Sequence, residues 1–558
     1  MRFLNTHDVI TDLDRGVTAS DGVRLSVDLY RPAGAEPLPA IVVQTPYDNN
    51  RIGGEDTGAG ALPSPAARYR GLAALGFMVA SIDTRGRGDS GGTFVPFSSD
   101  GLDGAAVVER LRTSEHVDGR IGVLGTGYGA YAALATAAET EVDSVLAWSP
   151  PALSPETSRP PFVDGVPSML WFRWLHLKGG RSPAVHDPTN WTRVARDNDL
   201  GGLAAAVGRT ASEWDRWLDP KDRVDIDFDA VDAPVLLATG WFDPAAGSTL
   251  GAWKRLRHRS TTELVVGPWG ASAARRAQST TGGIDWGPSA AVDPLAETGE
   301  WFSRTLRDGG LGGASENARE ASRARTRLFL TGANEWSEAD RSWPGESKEP
   351  NWNLTARSGA NTRAGDGALL GGSPDDARES TFDEFIHNAG NPVPWQPSAS
   401  GEPALGPSSG PLTLDPWFLT RRDDVLCYVS TTAQRPLIFS GEPRAQLLVS
   451  QDVMVGDWFV LLEDVFVGGE SSVVLSLGAA RLTITAGDTQ ELSPRRVDVL
   501  LSPAHHELQP GHALRVSVTA SLWPLFHPRS TNPTGPSYSR RRVHHGGEQP
   551  SRLVLPLG

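Results

Sequence analysis

The chain reads as a mainly parallel α/β domain interrupted by a helical insertion and followed by an all-β domain. Three observations predict this. Strand-like and helix-like segments alternate from about residue 40 to about residue 150, the pattern of a parallel sheet covered on both faces. The alternation stops between about 150 and 228, where Pro-rich turns and helical segments carry Trp171, Trp174, Trp191, Trp214 and Trp217. After about residue 345 helical periodicity nearly vanishes, and short strand runs recur between turns.

Taken in order, GVTASDGVRLSVDLYRP from residue 16 alternates with period two around Asp21-Gly22, which predicts a hairpin. Strand-like AIVVQT (40–45), helix-like SPAARYRGLAALG (64–76), strand-like FMVASID (77–83) and helix-like GLDGAAVVERLRT (101–113) follow. Next come RIGVLGTGYGAYAALATAAET (120–140) and strand-like VDSVLAWS (142–149). Past the insertion the sheet resumes with APVLLATGWFD (233–243), a helix near 247–258, TELVVGPWG (262–270), a helix near 293–308 and RTRLFLTG (325–332). Residues 309–323 read as a surface insertion. The expected organisation is an α/β domain over 1–149 and 229–344, a helical cap over 150–228, and a jelly-roll β-sandwich over 345–558. A Pro/Gly/Ser-rich loop at 395–412 lies inside the last of these, and there is no internal repeat.

Composition narrows the partners. A chain of 558 residues exceeds what one hydrophobic core usually serves. Its net charge of −15 and pI near 5.3 argue against nucleic acid and acidic membrane surfaces, which need clustered positive charge. Arg540, Arg541 and Arg542 form one short basic run, read as a solvated loop. No signal-like h-region and no run of 18 apolar residues is present, so neither secretion nor a membrane span is expected. The single Cys427 excludes an intrachain disulfide and suits a reducing, cytoplasmic setting; it is expected as a buried structural thiol on a strand. The expected partner is a small-molecule substrate or ligand, with a homodimer left open, and no metal or cofactor is implied. The excess of Arg over Lys suits a GC-rich bacterial source.

The chemistry concentrates at residues 120–140. A short apolar strand runs into a glycine-dense turn and then an alanine-rich helix, the layout of a nucleophile elbow with G-x-S-x-G. Here the turn is Gly125-Thr126-Gly127-Tyr128-Gly129, so the nucleophile position holds a glycine. The same turn fits G-x-G-x-x-[GA], which can cradle a pyrophosphate at a helix N-terminus. The acidic residue that should follow about 20 positions later is missing: Leu146-Ala147-Trp148-Ser149-Pro150 stands there. Gly88-Asp89-Ser90-Gly91-Gly92 also matches G-x-S-x-G, but it leads into TFVPFSS and not a helix, so a structural glycine loop is expected.

The order of these parts resembles the bacterial cocaine esterase and X-Pro dipeptidyl-peptidase group of α/β-hydrolases. The matching segments are SDGVRLSVDLYRPAG (20–34), TPYDNN (45–50), DTRGRGDSGG (83–92), GRIGVLGTGYGAY (119–131), LLATGWFD (236–243), LVVGPWG (264–270), RDDVLCYVS (422–430) and PSRLVLPL (550–557). The resemblance implies an α/β-hydrolase fold with a cap and a jelly roll. It also implies a Ser-His-Asp triad assisted by a Tyr hydroxyl and the backbone N–H after the Ser. On this reading Tyr47 is the Tyr donor, the Tyr128 N–H the second donor, and Asp243 the triad acid. The family's Ser falls on Gly127 and its His on Ala271, so two triad members are missing.

Ester attack needs a nucleophile and a base to take its proton, and glycine and alanine supply neither. Removing triad members typically costs on the order of 10⁶ in kcat. Three functions stay open. The first is non-hydrolytic chemistry, a cyclisation or isomerisation of a carbonyl-bearing metabolite in a biosynthetic setting. There Tyr47 and the Tyr128 N–H would polarise the carbonyl, and Asp243 would relay a proton or hold the ligand. The second is a non-catalytic binder or scaffold, and the third an esterase, amidase or peptidase with a substitute nucleophile. Trp171, Trp174, Trp241, Phe242 and Trp269 are the expected wall of an apolar pocket, with ordinary core packing as the competing explanation for at least some of them.

Overall fold

The computed structural model describes residues 8–34, 37–49, 65–151, 162–163, 165–178, 189–197, 202–210, 212, 224–258, 261–270, 277–307, 326–340, 342–344, 351–361, 365–372, 381–395, 413–414, 419–469, 471–484, 493–528, 538–547 and 550–557. Ten strands form one sheet: β1 (Val9–Thr18), β2 (Arg24–Pro32), β3 (Leu38–Thr45), β4 (Met78–Asp83), β5 (Val117–Thr126), β6 (Ser144–Trp148), β7 (Val235–Gly240), β8 (Thr262–Gly267), β9 (Thr326–Leu330) and β10 (Glu335–Ala339). Their spatial order is β1-β2-β4-β3-β5-β6-β7-β8-β9-β10. The six central pairings from β4 to β9 are parallel, and the flanking pairings β1–β2, β2–β4 and β9–β10 are antiparallel. Gly22, at φ 87°, makes the expected β1–β2 turn. Strands β4, β6, β7 and β8 are buried at every residue, as both faces of a parallel sheet must be.

Helices α1 (Pro65–Ala74), α2 (Asp100–Arg112) and α3 (Tyr128–Glu139) fall where the sequence puts them. Within the cap the described helices are α4 (Met169–Lys178), α5 (Trp191–Asp197) and α6 (Leu203–Ala206). Helices α7 (Ala246–Leu256) and α8 (Pro294–Leu306) complete the α/β domain. The start of α8 follows from local chemistry. Asp293 accepts from the backbone N–H groups of Leu295 and Ala296, and Pro294 needs no such partner. Its Trp301, Phe302 and Leu306 then pack on the sheet, with Phe302 over Gly122, where a Cβ would lie 2.5 Å from the ring.

The described strands from Asn351 onward belong mainly to a twelve-stranded, largely antiparallel path around a core that includes Leu447, Trp458, Val460 and Val516. Within the α/β domain Trp241 donates its indole N–H to Phe329 O (2.7 Å) and Trp253 to Trp343 O (2.8 Å). Trp343 in turn joins the β-rich domain, donating to Ser440 Oγ at 2.7 Å. Thr331 Oγ1 donates to His505 O at 3.0 Å. Cys427 lies on a strand, and burial pushes its thiol up to about 11, as expected of a structural cysteine. Among the described residues, no helix is long and apolar enough to cross a membrane.

Candidate active site

Four neighbouring strands, β3, β5, β6 and β7, deliver Tyr47, Gly127, Ser149 and Asp243 to one edge of the sheet, each just past a strand's carboxyl end. In open α/β sheets that edge is where ligands bind. The turn after β5 has the elbow's geometry. Gly127 sits at φ 56°, ψ −123°, donates its N–H to Trp148 O at 2.8 Å, and starts α3. A Cβ at Gly127 would have nothing within 4 Å among the described residues, whereas one at Gly125 would lie 1.9 Å from Gly129 O and one at Gly129 2.7 Å from Gln44 O. The outer glycines are therefore required by close backbone approach. The central one is where a side chain would project into open space, and none does.

Both expected donors lie within the described residues. The Tyr128 N–H leads α3, so no helical acceptor reaches it, and none is found among the described residues. The Tyr128 ring is held fast, its hydroxyl accepting from Phe97 N (2.9 Å) and donating to Asp100 Oδ2 (2.8 Å). Tyr47 Oη accepts from the Trp174 indole at 2.8 Å. Trp174 also stacks on Tyr128, with ring centres 5.6 Å apart and planes 16° apart. Trp171 meets Trp174 edge-on at 5.7 Å and Phe97 at 5.8 Å. Phe94 closes the cluster against Trp174 and Tyr128. The cap's Trp171 and Trp174 are thus brought together with both donors.

Asp243 is buried, and its partner is one the sequence did not suggest. Ser149 Oγ donates to Asp243 Oδ2 at 2.5 Å, while Oδ1 accepts from Ala245 N at 2.8 Å. Ser149 itself has φ 51°, an uncommon conformation for a residue with a Cβ and a frequent mark of functional turns. Ala271 lies outside the described residues. The other three pocket candidates do not share the cluster. Trp241 spends its indole on Phe329 O near the end of β9. Trp269 donates to Ala290 O (2.8 Å) and packs on Trp336, and Phe242 stacks on Trp286 at 5.5 Å. Their competing reading, packing, fits these contacts. Ser90 is fully buried, donates to Asp83 O at 2.7 Å and accepts from Ser26 N at 2.8 Å, as a structural loop requires.

Burial raises two carboxyls beneath the site. Desolvation lifts Asp83 to about 6 and Asp100 to about 7, against the lowering effect of the Tyr128 hydroxyl in the second case. A carboxyl that holds its proton more tightly folded than unfolded favours folding at low pH. That contribution fades as pH rises from the unfolded value through the folded one. His387 and His505, both lowered to about 4 by burial, act in the opposite direction as pH falls. Comparison with Asp100→Asn isolates the carboxyl. Between about pH 5 and about pH 7.5 the variant should gain about 2 kcal/mol relative to wild type in urea unfolding. A constant difference across that range would mean Asp100 ionises normally.

A parallel sheet in this order, with an elbow after β5, an acid after β7 and a cap over both, defines an α/β-hydrolase-fold protein with a β-rich C-terminal domain. Residues 21–271 match the model of the X-Pro dipeptidyl-peptidase (S15 family), and residues 319–554 match the X-Pro dipeptidyl-peptidase C-terminal non-catalytic domain. The chain belongs to this cocaine esterase and X-Pro dipeptidyl-peptidase-like family of hydrolases. It is 28% identical to the cocaine esterase of Rhodococcus sp. (strain MB1 Bresler) over 97% of both chains. Among solved structures it is similar to an α-amino acid ester hydrolase, with TM-score 0.79 at 20% identity over 100% of this chain and 98% of that one. It is similar also to an aminopeptidase from a marine sediment archaeon, with TM-score 0.77 at 19% identity over 100% and 98%. At those identities the two structures speak to fold alone.

Proposed function

We propose that this hydrolase-family protein performs non-hydrolytic chemistry on a small carbonyl compound beneath the cap. The observation that carries the reading is Gly127, an elbow glycine whose side-chain direction is open while both polarising donors stand beside it. A carbonyl seated there accepts from Tyr47 Oη–H and the Tyr128 N–H. A proton leaves the carbon next to the carbonyl for the Asp243 carboxylate, directly or through the Ser149 hydroxyl, and the electron pair moves onto oxygen. Collapse of the enolate returns the electrons to carbon, which either takes the proton back from Asp243 on its opposite face or attacks a second carbonyl of the same molecule, whose oxygen then takes that proton from Asp243. No water is consumed and no acyl-enzyme forms.

Ethyl acetoacetate in D₂O tests this. Wild type should speed deuterium exchange of the methylene protons without releasing ethanol, and a fluorophosphonate should leave the protein unlabelled. Tyr47→Phe should slow the exchange about 10²-fold, as loss of one oxyanion donor does elsewhere, and Asp243→Asn should slow it comparably. Equal exchange in all three proteins, or ester cleavage with fluorophosphonate labelling, would sink the reading. One observation favours a second reading, a binder without chemistry: both Asp243 oxygens already accept hydrogen bonds from the protein. Thermal stabilisation by carbonyl ligands recovered unchanged, with no exchange, would support that instead.

A further inference from the structure

Beneath the aromatic cluster lies a cation with no hydrogen-bond acceptor for its terminal nitrogens among the described residues. Arg87 follows β4 and its side chain is fully buried. Nε donates to Pro46 O at 2.8 Å, tying the guanidinium to the residue before Tyr47. Nη1 and Nη2 are buried and meet no acceptor among the described residues. The guanidinium carbon lies 5.3 Å from the centre of the Phe94 ring, whose other neighbours are Tyr128 and Trp174. The nearby Asp83 carboxylate does not pair with it: Oδ1 accepts from Asn49 N and Oδ2 from Asp89 N, each at 2.9 Å. Tyr47 and Tyr128 both lie within electrostatic reach of Arg87, and burial lowers its pKa only to about 10, so the charge persists at neutral pH.

A buried, unpaired cation is costly, and proteins seldom keep one unless something completes it. A guanidinium with Nε anchored offers its two terminal nitrogens as a planar fork, which fits the two oxygens of an oxyanion. We propose that Arg87 is the anion-binding residue of this site and that the ligand carries a carboxylate as well as the carbonyl, as a keto acid does. The carboxylate bonds Nη1 and Nη2, and the carbonyl reaches Tyr47 and the Tyr128 N–H. The proposal rests on the carbonyl reading above for the second half of the ligand only.

Calorimetric titration with acetoacetate, ethyl acetoacetate and inorganic phosphate tests it on the intact protein. Acetoacetate should bind at least about 30-fold more tightly than its neutral ester. Arg87→Met should abolish that preference while melting no lower than wild type without ligand, because it removes an unpaired buried charge. Arg87→Lys, which keeps the charge but not the fork, should retain only part of it. Equal affinity for acid and ester, undiminished acetoacetate binding by Arg87→Met, or binding of phosphate and not of the carboxylate would each overturn the proposal. The two readings fail separately. Ester exchange that depends on Tyr47 without carboxylate preference removes only the anion site. Carboxylate preference that depends on Arg87, with no exchange in any variant, removes only the carbonyl chemistry.

Discussion

Introducing Gly127→Ser and Ala271→His together should turn this protein into a measurable esterase. Hydrolysis of p-nitrophenyl butyrate should rise at least about 10²-fold over wild type, while either substitution alone stays within about 3-fold, because triad members act as a unit. The structure gives the reason to expect the first half to be tolerated. Gly127 already holds φ 56°, and its side-chain direction is clear to 4 Å among the described residues. On the proposed reading Asp243 is the acid, and Tyr47 with the Tyr128 N–H supplies the donors. Ser149 is the obstacle, since its hydroxyl holds Asp243 Oδ2 where an imidazole would bond. Adding Ser149→Ala should therefore raise the rate further. If the double variant hydrolyses no faster than either single one, the site has lost more than two side chains, and the elbow's present shape is not that of a hydrolase at rest.

The second large effect is on stability, and it ranks the three turn glycines. Gly125→Ala should cost about 3 kcal/mol or more in urea unfolding, because its Cβ would fall 1.9 Å from Gly129 O and 2.1 Å from Gly129 C, where backbone has to move. Gly129→Ala, at 2.7 Å from Gln44 O, should cost less, since separating α3 slightly from the end of β3 relieves it. Gly127→Ala should cost about 1–2 kcal/mol, the strain of a Cβ in left-handed backbone with no clash added. A reversed order, with Gly127→Ala worst, would show that the elbow's conformation and not its packing limits stability.

The sequence made most of the fold legible because parallel strands buried on both faces leave unbroken apolar runs, and β3, β4, β6 and β7 carry such runs. Tyr47, Gly127 and Asp243 were legible for a related reason: each follows such a run within a few residues, inside a segment that resembles the family's. Ser149 was not. It sits 94 positions from Asp243, and its role depends on β6 lying beside β7, which adjacency in sequence does not reveal. Arg87 was hidden differently, inside a glycine loop that reads as structural and is structural at Ser90. The tryptophans show the limit of composition. Trp174 and Trp241 are alike in the sequence, yet one bonds Tyr47 and stacks on Tyr128, and the other bonds β9 of its own sheet and rests against His505.

The contact with His505 has a consequence for how the halves of this chain can diverge. Trp241 stands two residues before Asp243, and it is gripped by the end of β9 and flanked by His505 and Trp343. The β-rich half, which contributes none of the polar groups named at the cleft, touches the acidic loop there through His505, with ring centres 6.2 Å apart. Swapping that half for a relative's, or trimming it away, would reach the cleft through one indole.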